Sequence, residues 1–466
     1  MDTSTPEKAS GQRIAVSGER LTPATLLPLL QQLPSAGRWW VGLSGGVDST
    51  VLLHLLSRLR QQQSAQLSAL HVDHGIHPQS AAWAEWCQRY CQSLQIPFEV
   101  QRIKLTDPPD GGVEAALRRL RYQHFTAALK EGDLLFLGHH QDDQAETMLL
   151  QLLRGCGVRG AAAMPPLRRL GAGWLLRPLL GVSRQAIEGY ARHHQLSWIE
   201  DPSNQSRHHD RNYLRHQLLP ALQQRRQGVV AALARSSDHF REAEQLLEEV
   251  AEEDLQRWQR GADAALELAA FETLSPGRSR NLLRHWIVSR GFSLPSTARL
   301  EQILTTVVTA AVDRRPTIRW QGTVLSRYRG RLYLYRPLPP PQKGGEHYAL
   351  ATTAPTQLSP STLGRIEPTR IAGGGIALRW LEEEARVELR WRQGGERISP
   401  QGRSGHHTLK NIFQEAGIPP WLRPHWPLIY LNGELAQLPG ICTATDFAPP
   451  ATGTGLLFQW RRDFIE

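Results

Sequence analysis

The chain is poor in cysteine and has no long apolar run. Its 466 residues contain four cysteines, Cys87, Cys91, Cys156 and Cys442, and no two of them form a C-x-x-C pair. Disulfides and a structural zinc site are therefore not expected. No apolar run approaches the length that spans a membrane, and the N-terminus lacks the apolar segment of a signal peptide. These absences predict a cytoplasmic protein without a membrane partner.

Length and charge narrow the class of protein further. A chain of 466 residues exceeds what one ordinary core supports, so two or three domains are expected. The formal net charge is +10 at pH 7 and the sequence pI is about 9.8, with arginine supplying most of the positive charge. A basic surface favours a polyanionic partner, most simply a nucleic acid. Composition alone fits a soluble basic protein without such a partner equally well.

Short apolar segments alternate with amphipathic ones in the first part of the chain. This alternation is typical of an α/β domain with a parallel sheet covered by helices on both faces. Ligands of such sheets bind beyond the carboxyl ends of the strands. The predicted strands are residues 39–43, 67–73, 98–105 and 133–138, and the predicted helices are residues 50–60, 80–94, 113–130 and 142–154.

Composition shifts predict five segments along the chain. The clearest boundary is Pro337–Gly345, where prolines favour an extended spacer and glycines allow a hinge. The segments are a polar extension (1–35), a catalytic α/β domain (36–222), a helical and mixed domain (223–335), a Pro/Gly linker (336–347) and a C-terminal α+β domain (348–466).

The most informative motif is a glycine-rich turn, Ser44-Gly45-Gly46-Val47-Asp48-Ser49, between the first predicted strand and helix. Adjacent glycines let backbone N–H groups approach phosphate oxygens, and a helix N-terminus favours an anion. Asp48 alone would repel phosphate, which predicts Mg²⁺ between its carboxylate and the phosphates. The alternative is an ordinary serine/glycine turn with a chance N-cap.

This turn differs from the commoner phosphate-binding loops. The lysine of G-x-x-x-x-G-K-[ST] is missing, and no G-x-G-x-x-G opens a helix after a strand. The six residues instead resemble the signature of PP-loop ATP pyrophosphatases, which cleave ATP to AMP and pyrophosphate. The resemblance implies that the chain uses ATP.

Polar residues also follow two other predicted strands. One strand ends in His71-Val72-Asp73, and His139 follows another. Because the carboxyl ends of parallel strands meet at one edge of the sheet, these residues and the 44–49 turn converge on one rim. In the next helix Asp143, Glu146 and Thr147 share one face, which could bind a metal or a substrate ammonium. A solvated acidic first turn is the alternative. 

Arginines mark two further helix faces. The first comprises Glu114, Arg118, Arg121 and Tyr122, and it contains either an ordinary i, i+4 ion pair or an arginine that stabilises charge on a reacting phosphate. The second carries Arg211 and Arg215. It could be a solvated face, close over the site or contact RNA phosphates.

Taken together, these segments resemble the bacterial tRNA(Ile)-lysidine synthetases. The resemblance covers about residues 35–220 and 385–445. The matching segments are Ser44–Ser49, His71–Gly75, Ala116–Tyr122, Gly138–Thr147, Arg177–Leu180, Asp201–Asn204, Arg211–Arg215, Leu389–Arg397, Thr408–Lys410 and Pro419–Arg423.

The resemblance implies a two-step ligation on the wobble cytidine (C34) of an isoleucine tRNA with a CAU anticodon. ATP adenylates the C2 carbonyl oxygen and releases pyrophosphate, and the ε-amine of free lysine then attacks C2 and expels AMP. For this reaction Asp143 and Glu146 are the candidates that bind the lysine ammonium. By resemblance, Arg118 faces the phosphates or the adenylated intermediate, and Arg215, the remaining candidate catalytic residue, could close over the site with Arg211. Asp48 binds Mg²⁺, and the implied ATP-binding residues are Ser44, Gly45, Gly46, Val47, Asp48, Ser49, His71, Val72, Asp73 and His139.

The C-terminal domain fits tRNA recognition, because arginines position phosphates and aromatic faces stack exposed bases. Its tryptophans, Trp391, Trp421 and Trp426, are more simply explained as core residues. The predicted tRNA contacts are Arg211, Arg390, Arg392, Arg397, Arg403, Lys410 and Arg423.

Two other functions remain open from the sequence. Another PP-loop tRNA-modifying enzyme, such as a thiolase, would need reactive cysteines, and no suitable pair exists. A tRNA-binding protein without catalysis is the second alternative, and the intact Asp48, Asp143 and Glu146 argue against it. The oligomeric state is open, with a homodimer among the alternatives.

Overall fold

The computed structural model describes residues 21–461 except 32, 34–36, 61, 63–64, 76, 104–112, 203–209, 262, 312–313, 342–344, 350–363 and 382–385. Most of the predicted polar extension, residues 1–20 above all, lies outside the described residues. The chain divides into two compact units, residues 1–246 and 247–466.

A six-stranded sheet with the order β3-β2-β1-β4-β6-β5 forms the centre of the first unit. β1 pairs in parallel with β2 and β4, β2 with β3, and β4 with β6, whereas β5 and β6 form an antiparallel hairpin. The predicted parallel sheet is confirmed. Its strands are β1 (Arg38–Gly42), β2 (Gln66–Asp73), β3 (Phe98–Arg102), β4 (Leu134–Phe136), β5 (Leu167–Leu170) and β6 (Gly173–Leu176).

The four helices predicted at residues 50–60, 80–94, 113–130 and 142–154 are present within a few residues of those bounds. A π-helical turn, Leu214–Leu218, joins α8 to α9, and α10 continues into the second unit. None of the helices in the described ranges has the apolar length needed to cross a membrane. The helices are α1 (Leu27–Leu30), α2 (Val47–Leu59), α3 (Ser80–Ser93), α4 (Val113–Ala128), α5 (Gln141–Leu153), α6 (Val158–Ala161), α7 (Arg184–His193), α8 (Asp210–Tyr213), α9 (Leu219–Arg225) and α10 (Val229–Trp258).

Apolar cores lie on both faces of this sheet, as the near-continuous apolar strands predict. Alternation along β1 divides its residues between them, since neighbouring side chains of a strand point to opposite faces. Trp39 and Val41 belong to the core that includes the apolar side chains of α2 and α7. Trp40 belongs to the opposite core with Phe125 of α4.

The second unit is built from antiparallel sheets and short helices, which confirms the predicted α+β class for the C-terminal domain. Its sheets have the orders β7-β8-β11-β10-β9, β12-β15-β18-β19-β20, β13-β21-β14 and β16-β17. β12 begins at Gly345, inside the predicted linker, and pairs with β15. A π-helical stretch, Ile303–Val308, follows α13. The helices are α11 (Ala269–Thr273), α12 (Pro276–Ser289), α13 (Thr297–Gln302) and α14 (Leu409–Glu415).

The strands of the second unit are short, and most are paired with neighbours in sequence. They are β7 (Gln259–Arg260), β8 (Ala265–Glu267), β9 (Thr317–Trp320), β10 (Thr323–Tyr328), β11 (Arg331–Tyr335), β12 (Gly345–Ala349), β13 (Arg365–Ala372), β14 (Ile376–Ala377), β15 (Arg386–Trp391), β16 (Arg397–Ile398), β17 (His407–Thr408), β18 (Pro427–Leu431), β19 (Glu434–Leu438), β20 (Cys442–Thr443) and β21 (Thr454–Arg461).

Candidate active site

A cavity of about 820 Å³ opens at the carboxyl ends of β1, β2 and β4. Residues that follow these strands lie close together because parallel strands end on the same side of the sheet. Most of the predicted site residues of the first unit meet here. Those that line the cavity are Ser44, Gly46, Asp48, Ser49, His71, Val72, Asp73, Arg118, His139, Asp143, Arg211 and Arg215.

The 44–49 turn is held by its own hydroxyl groups. Ser44 N donates to Ser49 Oγ at 3.1 Å, and Ser49 Oγ donates to Gly46 O at 3.0 Å. Gly45 has a φ of +87°, and a Cβ built there would lie 2.5 Å from Ile199 Cδ1. Only glycine fits that position without strain. The turn leads directly into α2, so it lies at a helix N-terminus, where an anion is favoured.

Asp48 lies in the first turn of α2 and lines the cavity. Its Oδ1 is buried and has no hydrogen-bond partner among the described residues. Burial raises the pKa of Asp48, against the attraction of His140. A hard carboxylate oxygen of this kind beside a phosphate loop suits Mg²⁺, which takes one or two carboxylates and completes its shell with phosphate oxygens and water. The described residues contain no cluster of three or more metal-binding side chains.

Gly138 brings the end of β4 against α2. A Cβ at Gly138 would lie 2.9 Å from both the carbonyl carbon and the carbonyl oxygen of Asp48. This close approach places the histidines that follow β4 beside the 44–49 turn. Glycine is therefore required here for contact between two backbones rather than for a special turn.

His140 connects the phosphate turn to the acidic helix. Its Nε2 lies 3.6 Å from Asp48 Oδ1 and 3.5 Å from Asp143 Oδ2. Burial opposes a charge on the ring, but the carboxylates of Asp143, Asp142 and Asp48 outweigh burial and raise the pKa of His140 to about 9. Nδ1 lies 3.3 Å from Asp142 N, as an N-cap acceptor, and 3.5 Å from Asp142 Oδ2, so protonation exchanges the first contact for the second. 

Two arginines occupy the acidic face of α5. Arg211 donates through Nε to Glu146 Oε2 and through Nη2 to Asp143 Oδ1, both at 2.8 Å. Arg215 donates through Nε to Glu146 Oε1 at 2.6 Å and through Nη2 to Asp143 Oδ1 at 3.0 Å. The Glu146 side chain is 1% exposed and does not line the cavity. Despite burial, His140 and Arg211 hold the pKa of Asp143 well below its usual range.

These contacts decide how an ammonium could reach the acidic pair. Both oxygens of Glu146 accept from guanidinium groups, and Asp143 Oδ2 accepts from His140 N at 3.1 Å. A lysine ammonium can therefore contact Glu146 only after an arginine has left. Asp143 and Glu146 were predicted on one helix and Arg211 and Arg215 on another, and no sequence pattern indicated that the two pairs are in contact.

A second group of arginines surrounds Tyr122 at the α4 side of the cavity. The Cζ atoms of Arg118 and Arg168 lie 5.2 and 5.1 Å from the Tyr122 ring centroid. Arg177 Nη2 donates to the Tyr122 hydroxyl at 3.4 Å, and Arg121 Nε is buried without a hydrogen-bond partner in the described part of the chain. Arg118 and Arg121 line the cavity, so this wall is suited to an anion. The side chain of Glu114 lies outside the described residues.

Burial affects both histidines at the strand ends, and Asp73 bonds to the backbone. Burial lowers the pKa of His71, whose Nδ1 lies 2.8 Å from Leu43 O, so a neutral ring donates from Nδ1 and leaves Nε2 as an acceptor. Asp73 Oδ1 accepts from Gly75 N at 2.9 Å. Burial also lowers the pKa of His139 far below its usual value.

All but one of the predicted tRNA contacts of the second unit are at least partly exposed. Arg397 and Lys410 are exposed, and Arg390 is half-exposed in a bidentate pair with Glu388 at 2.7 and 2.6 Å. Arg403 is exposed and pairs with Glu415, and Arg392 Nε lies 4.0 Å from Glu396 Oε2.

Arg423 is instead buried, and its guanidinium donates to Ile418 O at 2.9 Å and to the Tyr328 hydroxyl at 3.1 Å. This geometry corresponds to a structural position. Trp391 and Trp426 are buried, as the core interpretation predicted. Trp421 stacks on Tyr335 with ring centroids 5.2 Å apart.

The fold and cavity define an ATP-utilising enzyme domain of the PP-loop class. The family model described as "PP-loop domain" matches residues 22–222. Two further models, "TilS substrate binding domain" and "TilS substrate C-terminal domain", match residues 266–333 and 387–460.

Similar proteins share most of the chain. The tRNA(Ile)-lysidine synthase of Coxiella burnetii is 41% identical over 433 residues, which are 91% of this chain and 94% of that protein. The corresponding protein of Methylococcus capsulatus is 40% identical over 424 residues, 90% and 95% of the two chains. That of Nitrosomonas europaea is 37% identical over 458 residues, 96% of each. The chain belongs to the tRNA(Ile)-lysidine synthase family.

Proposed function

We propose that this chain joins free lysine to C2 of the wobble cytidine, C34, of tRNA(Ile) with a CAU anticodon and so forms lysidine. The C2 carbonyl oxygen attacks the α-phosphorus of ATP, and the bond from that phosphorus to pyrophosphate breaks. The lysine ε-nitrogen then forms a bond to C2, the C2–O bond breaks and AMP leaves. Family membership supports this reaction. The observation that carries it is the closeness of the phosphate turn to the acidic helix: His140 Nε2 lies 3.6 Å from Asp48 and 3.5 Å from Asp143.

The phosphate turn binds the triphosphate. Backbone N–H groups of the 44–49 turn contact its oxygens, and the Ser44 and Ser49 hydroxyls join them by exchanging their hydrogen bonds within the turn for bonds to phosphate. Asp48 would hold Mg²⁺, which would supply positive charge beside the departing pyrophosphate. The cationic wall of Arg118 and Arg121 stabilises the same charge from the α4 side. His71, Val72, Asp73 and His139 bind the nucleoside end.

Lysine binding requires an exchange of cations. Asp143 and Glu146 bind the lysine ammonium in place of an arginine, because the same carboxylate oxygens serve both. One of these carboxylates then accepts the proton that the amine must lose before it attacks. The released guanidinium groups contact phosphate: Arg215 at the reacting centre and Arg211 on the tRNA.

The second unit contributes tRNA binding through its basic surface. Arg390, Arg392, Arg397 and Lys410 are the proposed contacts, and Arg403 is an exposed neighbour. Arg423 is left out because it is buried and two of its nitrogens donate to protein groups. We also propose the cytoplasm as the location and the five sequence segments as the domain organisation. A homodimer stays a prediction that sedimentation of the full chain would test.

The experiment that tests this function is nucleoside mass analysis. The purified protein is incubated with ATP, lysine and a tRNA(Ile) transcript that carries a CAU anticodon, and the digested tRNA is analysed. One cytidine should gain the mass of a lysine less one water. Without lysine, pyrophosphate release should continue only until the adenylated tRNA has accumulated. An unmodified tRNA, or an equal product with any amino acid, contradicts the proposal.

A further inference from the structure

One aromatic residue of α3 faces the cavity rather than a core. Trp86 and Tyr90 of this helix pack against the apolar core of the first unit. Trp83, one turn earlier, is half-buried, belongs to none of the apolar clusters formed by the described residues and lines the cavity. Its ring is therefore not explained by packing of the fold.

The position of Trp83 follows from how α3 connects to the sheet. The helix starts beyond the carboxyl end of β2 and runs back along the sheet. Cys87, four residues after Trp83 and on the same face, is buried with its Sγ 3.7 Å from His71 Nδ1. Trp83 thus lies on the same face of α3 as the buried Cys87, but beyond the edge of the sheet, where it lines the cavity.

A second ring lies against Trp83 and is held in place. The His77 and Trp83 rings stack with centroids 4.6 Å apart and an interplanar angle of 13°. His77 Nδ1 accepts from Gln79 N at 3.2 Å, and His77 O accepts from Ser80 Oγ at 2.8 Å. His77 and Ser80 line the cavity as well. The two rings form a stacked pair in the cavity wall, to which a further ring could add on an outer face.

We propose that the His77–Trp83 pair is a stacking surface for a nucleobase in this cavity. The inference rests on the proposed function, which brings two bases here, the adenine of ATP and the cytosine of the tRNA. Aromatic faces stack on any base, since every base has a π-face. Apart from histidines, the other ring in the described lining is Phe125, which is buried in the core of α4. Trp83 is therefore the aromatic face available to a base.

The test replaces Trp83 by Leu and by Phe in the full chain, with Gln88→Leu on the exposed side of α3 as the matched control. Thermal unfolding verifies that each variant is folded. Equilibrium binding is measured without catalysis, using ATP, inorganic triphosphate and a CAU anticodon stem–loop RNA, the RNA in the presence of a non-hydrolysable ATP analogue. An RNA lacking the base at position 34 completes the set.

If adenine stacks on the pair, Trp83→Leu weakens ATP binding about tenfold or more while binding of inorganic triphosphate is unchanged. If the cytosine stacks there, ATP binding is unchanged, and Trp83→Leu weakens binding of the CAU RNA but not of the RNA without the base. In either case Trp83→Phe stays within about threefold of wild type, because it keeps a stacking face. 

Unchanged binding of both ATP and the CAU RNA by Trp83→Leu overturns the inference. Because binding is measured directly, these outcomes do not depend on turnover. Failure of the proposed function would appear separately, as the absence of lysidine from the wild-type reaction.

Discussion

Arg215 Nε donates to Glu146 Oε1 at 2.6 Å, and the Glu146 side chain is only 1% exposed. The pair joins the π-helical turn after α8 to the acidic face of α5. Removing one partner of a buried ion pair leaves the other charge without compensation. The carboxylate therefore needs a cation at all times, and a lysine ammonium can serve in place of the guanidinium.

Arg215→Gln should lower the KM for lysine. The substitution removes a cation that competes for Glu146, so an ammonium should bind about fivefold more tightly, a gain of about 1 kcal/mol. The rate of adenylation should fall at the same time if the freed guanidinium acts on phosphate. Steady-state kinetics with lysine as the varied substrate measure the first effect, and pyrophosphate release without lysine measures the second. A raised KM for lysine would count against the exchange of cations.

Glu146→Gln should impair lysine use much more than ATP binding. Glutamine keeps the shape of the side chain but loses the charge that attracts an ammonium, so the KM for lysine should rise about tenfold or more. The dissociation constant for ATP should stay within about threefold, because Glu146 does not line the cavity. Thermal unfolding of the variant is needed beside the kinetics, since Arg211 and Arg215 lose a partner. A wild-type KM for lysine would refute this assignment.

Asp48→Ala should abolish tRNA-dependent pyrophosphate release and leave tRNA binding intact. The substitution removes the buried oxygen that has no protein hydrogen-bond partner in the described structure, and with it the ligand for Mg²⁺. A loss of several kcal/mol of transition-state stabilisation corresponds to a rate reduction of about a hundredfold or more. Pyrophosphate release and filter binding of the tRNA provide the two measurements. Release at the wild-type rate would remove the metal role from Asp48.

Gly45→Ala should damage the phosphate turn through both its backbone and its packing. The φ of +87° disfavours any Cβ, and the new methyl group would lie 2.5 Å from Ile199 Cδ1. We expect a loss of more than about 1 kcal/mol in stability together with weaker ATP binding. Combining it with Ile199→Ala should restore part of the loss, because that change relieves the clash but not the backbone strain. Calorimetry and ATP titration of the two variants separate these contributions.

Much of the first unit could be predicted from the sequence because its signals are local. The predicted strand 39–43 and helix 142–154 differ by one residue from Arg38–Gly42 and Gln141–Leu153. The hairpin of β5 and β6 was missed, since four-residue strands with Arg168 and Arg169 give only a weak alternation signal. The phosphate turn was found because its whole chemistry lies in six consecutive residues.

The contacts that sequence could not provide are the long-range ones. Arg211 is hydrogen-bonded to Glu146, which is 65 residues away in sequence, and Arg423 to Tyr328, which is 95 residues away. Each of these arginines looked like an exposed cation available to a phosphate, and only the fold reveals its protein partner. His140 was not predicted as a site residue, whereas its neighbour His139 was. Its place as N-cap of α5 could have been inferred from where the helix begins.

Acidification should destabilise the first unit through His54, a buried residue of α2. Burial, with the nearby charges of Arg58 and His194, lowers the pKa of His54 to about 4 from 6.5, and its Nδ1 lies 2.8 Å from the Tyr190 hydroxyl. The unfolded chain therefore binds a proton more readily than the folded one. The stability contributed by the neutral ring is fully present above about pH 6.5 and is lost as the pH falls towards 4.

The loss amounts to at most about 3 kcal/mol, by the free energy equivalent to a pKa change of this size. Denaturant unfolding between pH 7 and pH 4 should show a steeper decline for wild type than for His54→Gln. His193→Gln, at an exposed histidine of α7, should follow the wild-type curve. Equal slopes for wild type and His54→Gln would mean that His54 takes up its proton without cost to the fold.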